Sequence, residues 1–350
     1  MSLTTLGPPP SHESLGPEGD LGPAVASAAD SSTAALPLSP AWGGPSRPLT
    51  QPRASISHRS HWKHLVSLTK PRLTLMVLVT VAVGFAAADR LRGDTPFRLL
   101  ELTTAVLGTG LVAGAAGAWN MLLERDRDAR MRRTAQRPLP SGALSPFEAG
   151  LFGTLLLVVG CSILGLFNNV LAAAMALLTF LLYVGVYTPL KARTTLNTAM
   201  GAIPGALPPA IGWAAATGQL GLEPLCLFLI VFLWQFPHFL AIAWLHRHDY
   251  AQAGYRMLTH PDLDPKGRIT GRQALFHALA LVPVGLLPSV VGLTGSWYFI
   301  GALALGTHYL AASAHFHHQP GDATARRLLK ASFLYLPLLL SLLIYDRLPI

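Results

Sequence analysis

From residue 73 onward, long apolar runs alternate with short polar and charged runs. A helix needs about 20 mainly apolar residues to cross the hydrocarbon core of a bilayer. Nine runs meet or approach that length, near residues 73–88, 99–122, 148–167, 169–188, 197–216, 223–244, 273–292, 297–313 and 329–345. The pattern predicts an all-α integral membrane protein with nine transmembrane helices.

The first 60 residues differ from the rest of the chain. They are rich in Pro, Ser, Gly and Ala and lack a periodic apolar pattern, so they predict a disordered tail before one transmembrane domain over 61–350. A mitochondrial transit peptide would be rich in Arg and poor in acids, yet the first basic residue is Arg47. A bacterial inner membrane is therefore favoured over the mitochondrial inner membrane.

Composition supports the membrane prediction and narrows the chemistry. Hydrophobic residues make up 51% of the chain and charged residues 12%, whereas soluble domains are roughly a quarter charged. The two cysteines, Cys161 and Cys226, lie in apolar runs and offer no disulfide framework. The net charge of +9 is distributed between the spans rather than gathered in a patch, which indicates a bilayer and no nucleic-acid partner.

The distribution of basic residues predicts the orientation. If the N-terminus is cytoplasmic, 22 of the 26 Lys and Arg residues lie on the cytoplasmic side. The four on the other side are Arg90, Arg92, Arg98 and Arg347. Cytoplasmic loops carry such an excess of positive charge, so the polar loops described next are predicted to be cytoplasmic.

A polar stripe marks the cytoplasmic end of the second apolar run. Asn120, Glu124 and Asp128 recur every four residues and share one face if the helix continues, with a drift of about 40° per step. Asp126 would point away unless the helix unwinds at the membrane surface, which would make it a further substrate contact. Carboxylate and amide oxygens suit Mg²⁺, which often bridges to substrate phosphates. The alternative is a solvated helix end whose acids pair with nearby arginines.

The segment that contains and follows the stripe is strongly basic. Its arginines are Arg125, Arg127, Arg130, Arg132, Arg133 and Arg137. Arginine binds phosphate through two parallel hydrogen bonds, so this loop is a candidate diphosphate site, with Arg125, Arg133 and Arg137 as substrate contacts. Membrane topology alone also places arginines here, and that alternative stays open.

Two further cytoplasmic loops carry polar groups. One contains Tyr187, Lys191 and Arg193, and the other contains Asp249. If these loops face the stripe, Lys191 can neutralise a leaving group, Asp249 can hold a metal ion, and Tyr187 and Arg193 can contact a diphosphate. Neither short motif is specific alone.

Glycines, prolines and one histidine interrupt the fifth and sixth apolar runs. Gly201, Pro204, Gly205, Pro208, Pro209 and Gly212 break up the fifth, and Gln235, Pro237 and His238 interrupt the sixth. Such residues are tolerated where they face a cavity or pack against protein. His238 is a candidate for orienting a substrate or ligating haem iron, and a hydrogen-bonded packing histidine is the more common alternative.

The stretch from Asn120 to Pro140 resembles the first aspartate-rich motif of the UbiA intramembrane prenyltransferases, and in particular their haem-modifying branch. Matching segments run along most of residues 66–345. They are Thr69-Lys-Pro-Arg72, Tyr187-Thr-Pro-Leu-Lys191, Gly205-Ala-Leu-Pro-Pro-Ala-Ile-Gly-Trp213, Trp234-Gln-Phe-Pro-His-Phe239 and Asp249-Tyr250.

This resemblance implies nine helices around a central, lipid-accessible cavity, with Mg²⁺ and an isoprenyl diphosphate held between two acidic motifs. It places Asn120, Glu124 and Asp128 in the first metal site and Asp249 in the second, with Tyr187 and Lys191 at the diphosphate. Many members have an Asp where this chain has Met121, and a second Asp four residues from the position of Asp249. Both departures resemble the haem branch and leave the second ligand set open.

The haem branch implies a specific reaction. Farnesyl diphosphate is the donor, a vinyl group of haem B is the acceptor, and water adds to give the haem O of terminal oxidases. Association with a haem A synthase or with oxidase assembly factors stays open. The alternatives are prenylation of an aromatic quinone precursor or a chlorophyll-type pigment, and a non-catalytic haem carrier or transporter.

Overall fold

The computed structural model describes residues 58–89 and 98–346, and within these ranges the chain is all-α. The predicted tail therefore lies outside the described residues except for its last three positions, as do Arg90, Arg92 and Arg347. Thirteen α-helices follow one another: α1 (His58–Leu68), α2 (Pro71–Asp89), α3 (Leu99–Asp128), α4 (Pro146–Phe167), α5 (Val170–Leu181), α6 (Thr188–Leu190), α7 (Asn197–Ala206), α8 (Pro208–Thr217), α9 (Leu222–Leu245), α10 (Arg247–Gln252), α11 (Arg268–Val290), α12 (Ser296–His318) and α13 (Asp322–Tyr345).

Seven helical segments of the described chain are long and apolar enough to cross a membrane. They are α2, α3, α4, the continuous segment Val170–Leu190, α9, α11 and α13. The segment Val170–Leu190 includes α5, a π-helical stretch at Leu182–Tyr187 and α6. The membrane architecture predicted from the apolar runs is thus present, and the count of nine spans stays a prediction.

The other two predicted spans are helical but differ from the seven. The run at 197–216 forms two ten-residue helices, α7 and α8, because Pro208 begins α8 and cannot continue the hydrogen bonding of α7. Helix α12 has 23 residues but is not among the seven; His308 and the three histidines of its last turn lower its hydropathy.

Two glycines allow α2 and α8 to pack with their backbones in contact. A Cβ atom on Gly84 would lie 1.9 Å from the carbonyl oxygen of Pro209, and one on Gly212 would lie 2.0 Å from that of Val81. Small residues permit such close approach where water is absent and packing drives helix association. The two glycines thereby fix α8, and with it the broken segment, against the first span.

Helix α4 packs against α3 and presents an apolar outer surface. Ser145 caps its N-terminus by accepting a hydrogen bond from the backbone of Glu148, whose carboxylate accepts one in return from the backbone of Ser145. Leu155 and Val158 are more than half exposed, as expected for side chains that face lipid tails.

A small cluster of buried side chains joins two of the loops between helices. Met131 follows the end of α3, and it packs with Tyr250, Ala253 and Tyr255, which lie in or directly after α10. Tyr255 is 1% exposed. This contact brings the arginine-rich loop and the loop after α9 together above the end of α3, where the candidate site lies.

Candidate active site

Helix α3 continues without a break through the polar stripe. Asn120, Glu124 and Asp128 are 2%, 3% and 1% exposed. Asp126 has a side chain that is 81% exposed and pairs with Arg125 at 3.4 Å. Because the helix does not unwind before Asp128, the structure does not bring Arg125 or Asp126, both predicted as substrate-binding residues, into the buried cluster.

Lys191 faces Glu124 from the segment that follows α6. Its Nζ donates to both carboxylate oxygens of Glu124, at 3.2 and 3.4 Å. Burial lowers the pKa of Lys191, but the negative charge of Glu124 and smaller contributions from Tyr255, Tyr250 and Tyr183 together outweigh burial and raise it above the ordinary value. The ammonium therefore stays charged at physiological pH.

Asp128 is held by Arg137, the last arginine of the basic loop. Nη1 of Arg137 donates to Oδ2 of Asp128 at 2.7 Å. The other carboxylate oxygen, Oδ1, is buried and has no hydrogen-bond partner among the described residues. Because a buried carboxylate oxygen normally needs a partner, this atom fits a ligand to a metal ion better than it fits a purely structural ion pair.

Lys70 also enters the cluster, from the turn between α1 and α2. Its Nζ donates a 2.5 Å hydrogen bond to Oδ1 of Asn120. Lys70 is the only described non-glycine residue with positive φ, at 50°. Burial lowers its pKa to about 8, with Arg137 and Lys191 adding to the shift and Glu124 and Asp128 opposing it.

The turn that carries Lys70 can reach α3 because of Gly117. A Cβ atom there would lie 2.8 Å from the backbone oxygen of Leu68. Helix α1 and the position of Lys70 in the site were missed by the sequence analysis. The segment Thr69-Lys-Pro-Arg72 contributed to the resemblance, but nothing in its spacing connects Lys70 to Asn120.

Two tyrosines form an aromatic wall beside the cations. Nζ of Lys191 lies 4.4 Å from the ring centroid of Tyr255 and 5.8 Å from that of Tyr250. Arg133 donates to the Tyr250 hydroxyl at 3.3 Å, and the Arg127 guanidinium lies 5.7 Å from the Tyr255 ring. Tyrosine faces attract cations, so three loops of the same end of the bundle meet at this wall. The role of Tyr255 was also missed by the sequence analysis.

In the loop that contains Tyr187, Lys191 and Arg193, some residues contact the cluster and others do not. Asn120 donates through Nδ2 to the hydroxyl of Thr188 at 3.2 Å, which ties α6 to the stripe. Tyr187, directly before Thr188, is half-buried and packs against Gly201 of α7. Arg193 is exposed. The structure thus brings Lys191 and Thr188 to the cluster and leaves Arg193 on its outer surface.

Asp249 lies beside the cluster rather than within it. Its side chain is 37% exposed and is 3.8 Å from Nδ1 of His246. No three or more His, Cys, Asp or Glu side chains in the described ranges converge as metal ligands. The second metal site at Asp249 therefore stays a prediction, while its neighbour Tyr250 is the residue of this motif that contacts Lys191 and Arg133.

His238 lies away from these loops, in the sixth predicted span. It is 7% exposed, in α9, and Nδ1 lies 2.7 Å from Oγ of Ser332 in α13. It stacks on Trp234 with 4.7 Å between ring centroids. These contacts match the packing alternative and leave its other ring nitrogen, Nε2, without a hydrogen bond to any described residue.

Taken together, the cluster holds three cations against two carboxylates. Lys70, Lys191 and Arg137 surround Glu124 and Asp128, and further arginines lie in the loop above. Such a site can hold a polyanion and a divalent cation together, and can stabilise charge that develops on a phosphate leaving group.

Comparisons with known proteins identify the family of the chain. Residues 77–336 match the model of the UbiA prenyltransferase family. A protein from Solibacter usitatus named "Protoheme IX farnesyltransferase" is 43% identical over 287 residues, which cover 81% of this chain and 98% of the relative. One of the same name from Koribacter versatilis is 41% identical over 310 residues, covering 86% and 98%.

Solved structures show the same fold at low sequence identity. A digeranylgeranylglyceryl phosphate synthase superposes with a TM-score of 0.69 at 18% identity, covering 82% of this chain and 98% of that one. A UbiA homologue from Archaeoglobus fulgidus, bound to DMAPP and Mg²⁺, superposes with a TM-score of 0.54 at 16% identity, covering 80% and 98%.

Proposed function

The chain belongs to the UbiA prenyltransferase family, and we propose that it transfers a farnesyl group from farnesyl diphosphate to a vinyl group of haem B. Binding of the prenyl diphosphate donor is supported by the buried stripe of Glu124 and Asp128, which Lys191 and Arg137 contact directly. The acceptor half is supported by relatives at 41–43% identity, whose names specify protoheme IX and farnesyl transfer.

The diphosphate of the donor binds among the cations of the cluster. Lys70, Lys191 and Arg137 are partly or wholly buried beside the acids, where charge interactions are less screened than at an open surface. Arg133 lies against Tyr250 within the same loops and can close over the outer phosphate. The farnesyl chain then extends from this polar end into the apolar bundle.

Mg²⁺ fits the acids of the stripe. Glu124 and Asp128, with the carbonyl oxygen of Asn120, would hold it, and the unpartnered Oδ1 of Asp128 supports this assignment. The A. fulgidus homologue contains Mg²⁺ with a prenyl diphosphate. When bound, such an ion supplies positive charge that offsets the negative charge of the diphosphate. Asp249 is a further proposed ligand.

The reaction separates charge at the boundary between the loops and the bundle. The bond between C1 of the farnesyl group and the diphosphate oxygen breaks, and its electron pair leaves with the diphosphate. Lys191, Arg137 and Lys70 stabilise that charge. The vinyl group of haem B forms a new bond to C1, and water adds to the resulting cation with loss of a proton. The apolar bundle keeps bulk water away from the first cation.

The protein is an integral membrane protein. The bacterial inner membrane, with the active site at the cytoplasmic face, is the proposed location. The excess of Lys and Arg on the side of the cluster, 22 of 26 residues, supports this orientation.

The proposed function is tested with the purified protein in detergent or nanodiscs, supplied with farnesyl diphosphate, Mg²⁺ and haem B. Mass spectrometry of the extracted haem should show an increase by one farnesyl group plus one hydroxyl group, the hydroxyl coming from the added water. An increase by the farnesyl group alone would retain the transfer and refute the water addition. Unchanged haem with intact farnesyl diphosphate would refute the proposed function.

A further inference from the structure

The hydrogen bonds around His238 fix which of its ring nitrogens carries the proton. Oγ of Ser332 lies 2.6 Å from the carbonyl oxygen of Leu329 and 2.7 Å from Nδ1 of His238. A carbonyl oxygen has no proton, so the single hydroxyl proton of Ser332 must lie between the two oxygens. Nδ1 must then carry its own proton and donate it to Oγ.

This tautomer leaves a lone pair on Nε2. A neutral imidazole has one proton between its two nitrogens, and in His238 it is on Nδ1. No described residue hydrogen-bonds Nε2. Histidines that bind metals usually have the same arrangement, in which the far nitrogen donates to a fixed acceptor and so sets the ring orientation.

Aromatic side chains surround the ring of His238. Trp234 stacks on it, and it donates through Nε1 to the backbone oxygen of Ser332 at 2.9 Å, which holds the indole in place. Phe239 and Phe333 both meet the His238 ring edge-on, at 5.3 Å between centroids. They are 40% and 60% exposed, so they offer open aromatic surface to a flat apolar ligand.

We propose that Nε2 of His238 binds the iron of the haem acceptor as an axial ligand and thereby positions the macrocycle for prenylation. This inference rests on the proposed function, since it assigns the binding site of its acceptor. His238 precedes the end of α9 by seven residues, or about 10 Å along the axis at 1.5 Å per residue. A macrocycle at that depth lies in the apolar bundle just below the charged loops.

A second histidine provides a matched control. Nδ1 of His277 donates to the carbonyl oxygen of Gln273 at 2.7 Å, so Nε2 of this ring also has a free lone pair. However, His277 stacks on Phe236 with 3.7 Å between centroids. Phe236 and His238 are two positions apart in α9 and therefore about 200° apart around it. The two histidines thus lie on opposite sides of α9, against α11 and α13.

The test uses haem B bound to the full-length protein, and its readout is the identity of the iron ligand. Resonance Raman spectra of the ferrous complex reveal an iron–histidine stretching band if an imidazole is bound. We expect that band in the wild-type protein and in His277→Gln, and its loss in His238→Gln with restoration by added imidazole. Ser332→Ala should keep the band but shift it and weaken haem binding about tenfold, as for other partners of metal-bound histidines.

The outcomes separate this inference from the proposed function. Absence of the band from the wild-type complex, its persistence in His238→Gln, or its loss in His277→Gln instead would overturn the assignment of His238. Product mass measured on the same wild-type preparation reports the reaction independently, so farnesylated haem without histidine ligation refutes only the ligand. If His238→Gln does not yield folded protein, the spectra of the wild-type protein, His277→Gln and Ser332→Ala still test the assignment of His238. An unshifted iron–histidine band in Ser332→Ala contradicts the proposal.

Discussion

Lys70 donates a hydrogen bond from its Nζ to Oδ1 of Asn120, across fifty positions of sequence. The contact places a buried ammonium beside the stripe, and no other described cation contacts Asn120. A diphosphate bound over Glu124 and Asp128 therefore lies within reach of Lys70. The backbone of Lys70 has a φ of 50°, a conformation that costs most side chains about 1 kcal/mol or more.

Replacing Lys70 should therefore change the affinity for the diphosphate and the stability of the fold independently. Lys70→Met should weaken the affinity for farnesyl thiodiphosphate about ten- to a hundredfold, since hydrogen bonds to charged groups contribute about 1.5–3 kcal/mol. Lys70→Gly should weaken it similarly while leaving the melting temperature unchanged or higher, because glycine accepts positive φ. Isothermal titration calorimetry and a thermal shift assay measure the two effects. Full affinity in Lys70→Gly would exclude Lys70 from the diphosphate site.

The acidic residues of α3 should contribute to turnover according to how buried their side chains are. Asp128→Asn and Glu124→Gln should each reduce turnover about a hundredfold or more, because each removes a charged oxygen ligand from the reacting end of the site. Asp126→Asn is the matched control on the same helix turn, and its exposed side chain should be replaceable at little cost. Rates per amount of folded membrane protein test this. Comparable losses in all three variants would contradict the arrangement described for α3.

Removal of divalent cations should stop the reaction and weaken donor binding together. EDTA should abolish turnover, and Mg²⁺ should restore it, because the acids alone repel a diphosphate. The affinity for farnesyl thiodiphosphate, titrated with and without Mg²⁺, distinguishes a role in binding from a role in chemistry alone. Undiminished turnover in EDTA would rule out the metal assignment of Glu124 and Asp128.

The face of the Tyr255 ring should contribute more to the affinity for the diphosphate than its hydroxyl does. Lys191 lies 4.4 Å from the ring centroid, and a desolvated cation–π contact contributes about 1–2 kcal/mol. Tyr255→Leu should therefore weaken binding of the thiodiphosphate about fivefold or more, and Tyr255→Phe should have little effect. Calorimetric titration of both variants checks this. Equal losses would instead identify the hydroxyl as the important group.

The stripe on α3 could be predicted because it depends on local spacing. Residues four apart share a helix face, so Asn120, Glu124 and Asp128 were grouped correctly and Asp126 was expected to diverge. The break between α7 and α8 also follows from a local signal, the adjacent prolines Pro208 and Pro209, although the apolar pattern predicts one interrupted span over 197–216.

The contacts of Lys70 and Tyr255 could not be predicted in the same way. Each depends on a turn that reaches the stripe from a distant part of the chain, and loop conformation is not encoded in hydrophobic periodicity. The approach of the Lys70 turn requires Gly117 on α3 and a left-handed backbone at Lys70. Arg125 on α3 and Arg193 in the loop after α6 illustrate the converse, because both lie close in sequence to residues of the cluster while their own side chains remain exposed.

The choice of acceptor is tested most directly by competition in one reaction. The protein receives farnesyl diphosphate labelled in its farnesyl chain, Mg²⁺, and equal amounts of haem B and 4-hydroxybenzoate, and the label in each acceptor is counted after separation. A site that holds a planar macrocycle in attack geometry would not orient a single small ring equally well. We predict label in haem and none in 4-hydroxybenzoate. Label in 4-hydroxybenzoate with haem returned unlabelled would contradict the haem assignment and leave only membership of the prenyltransferase family.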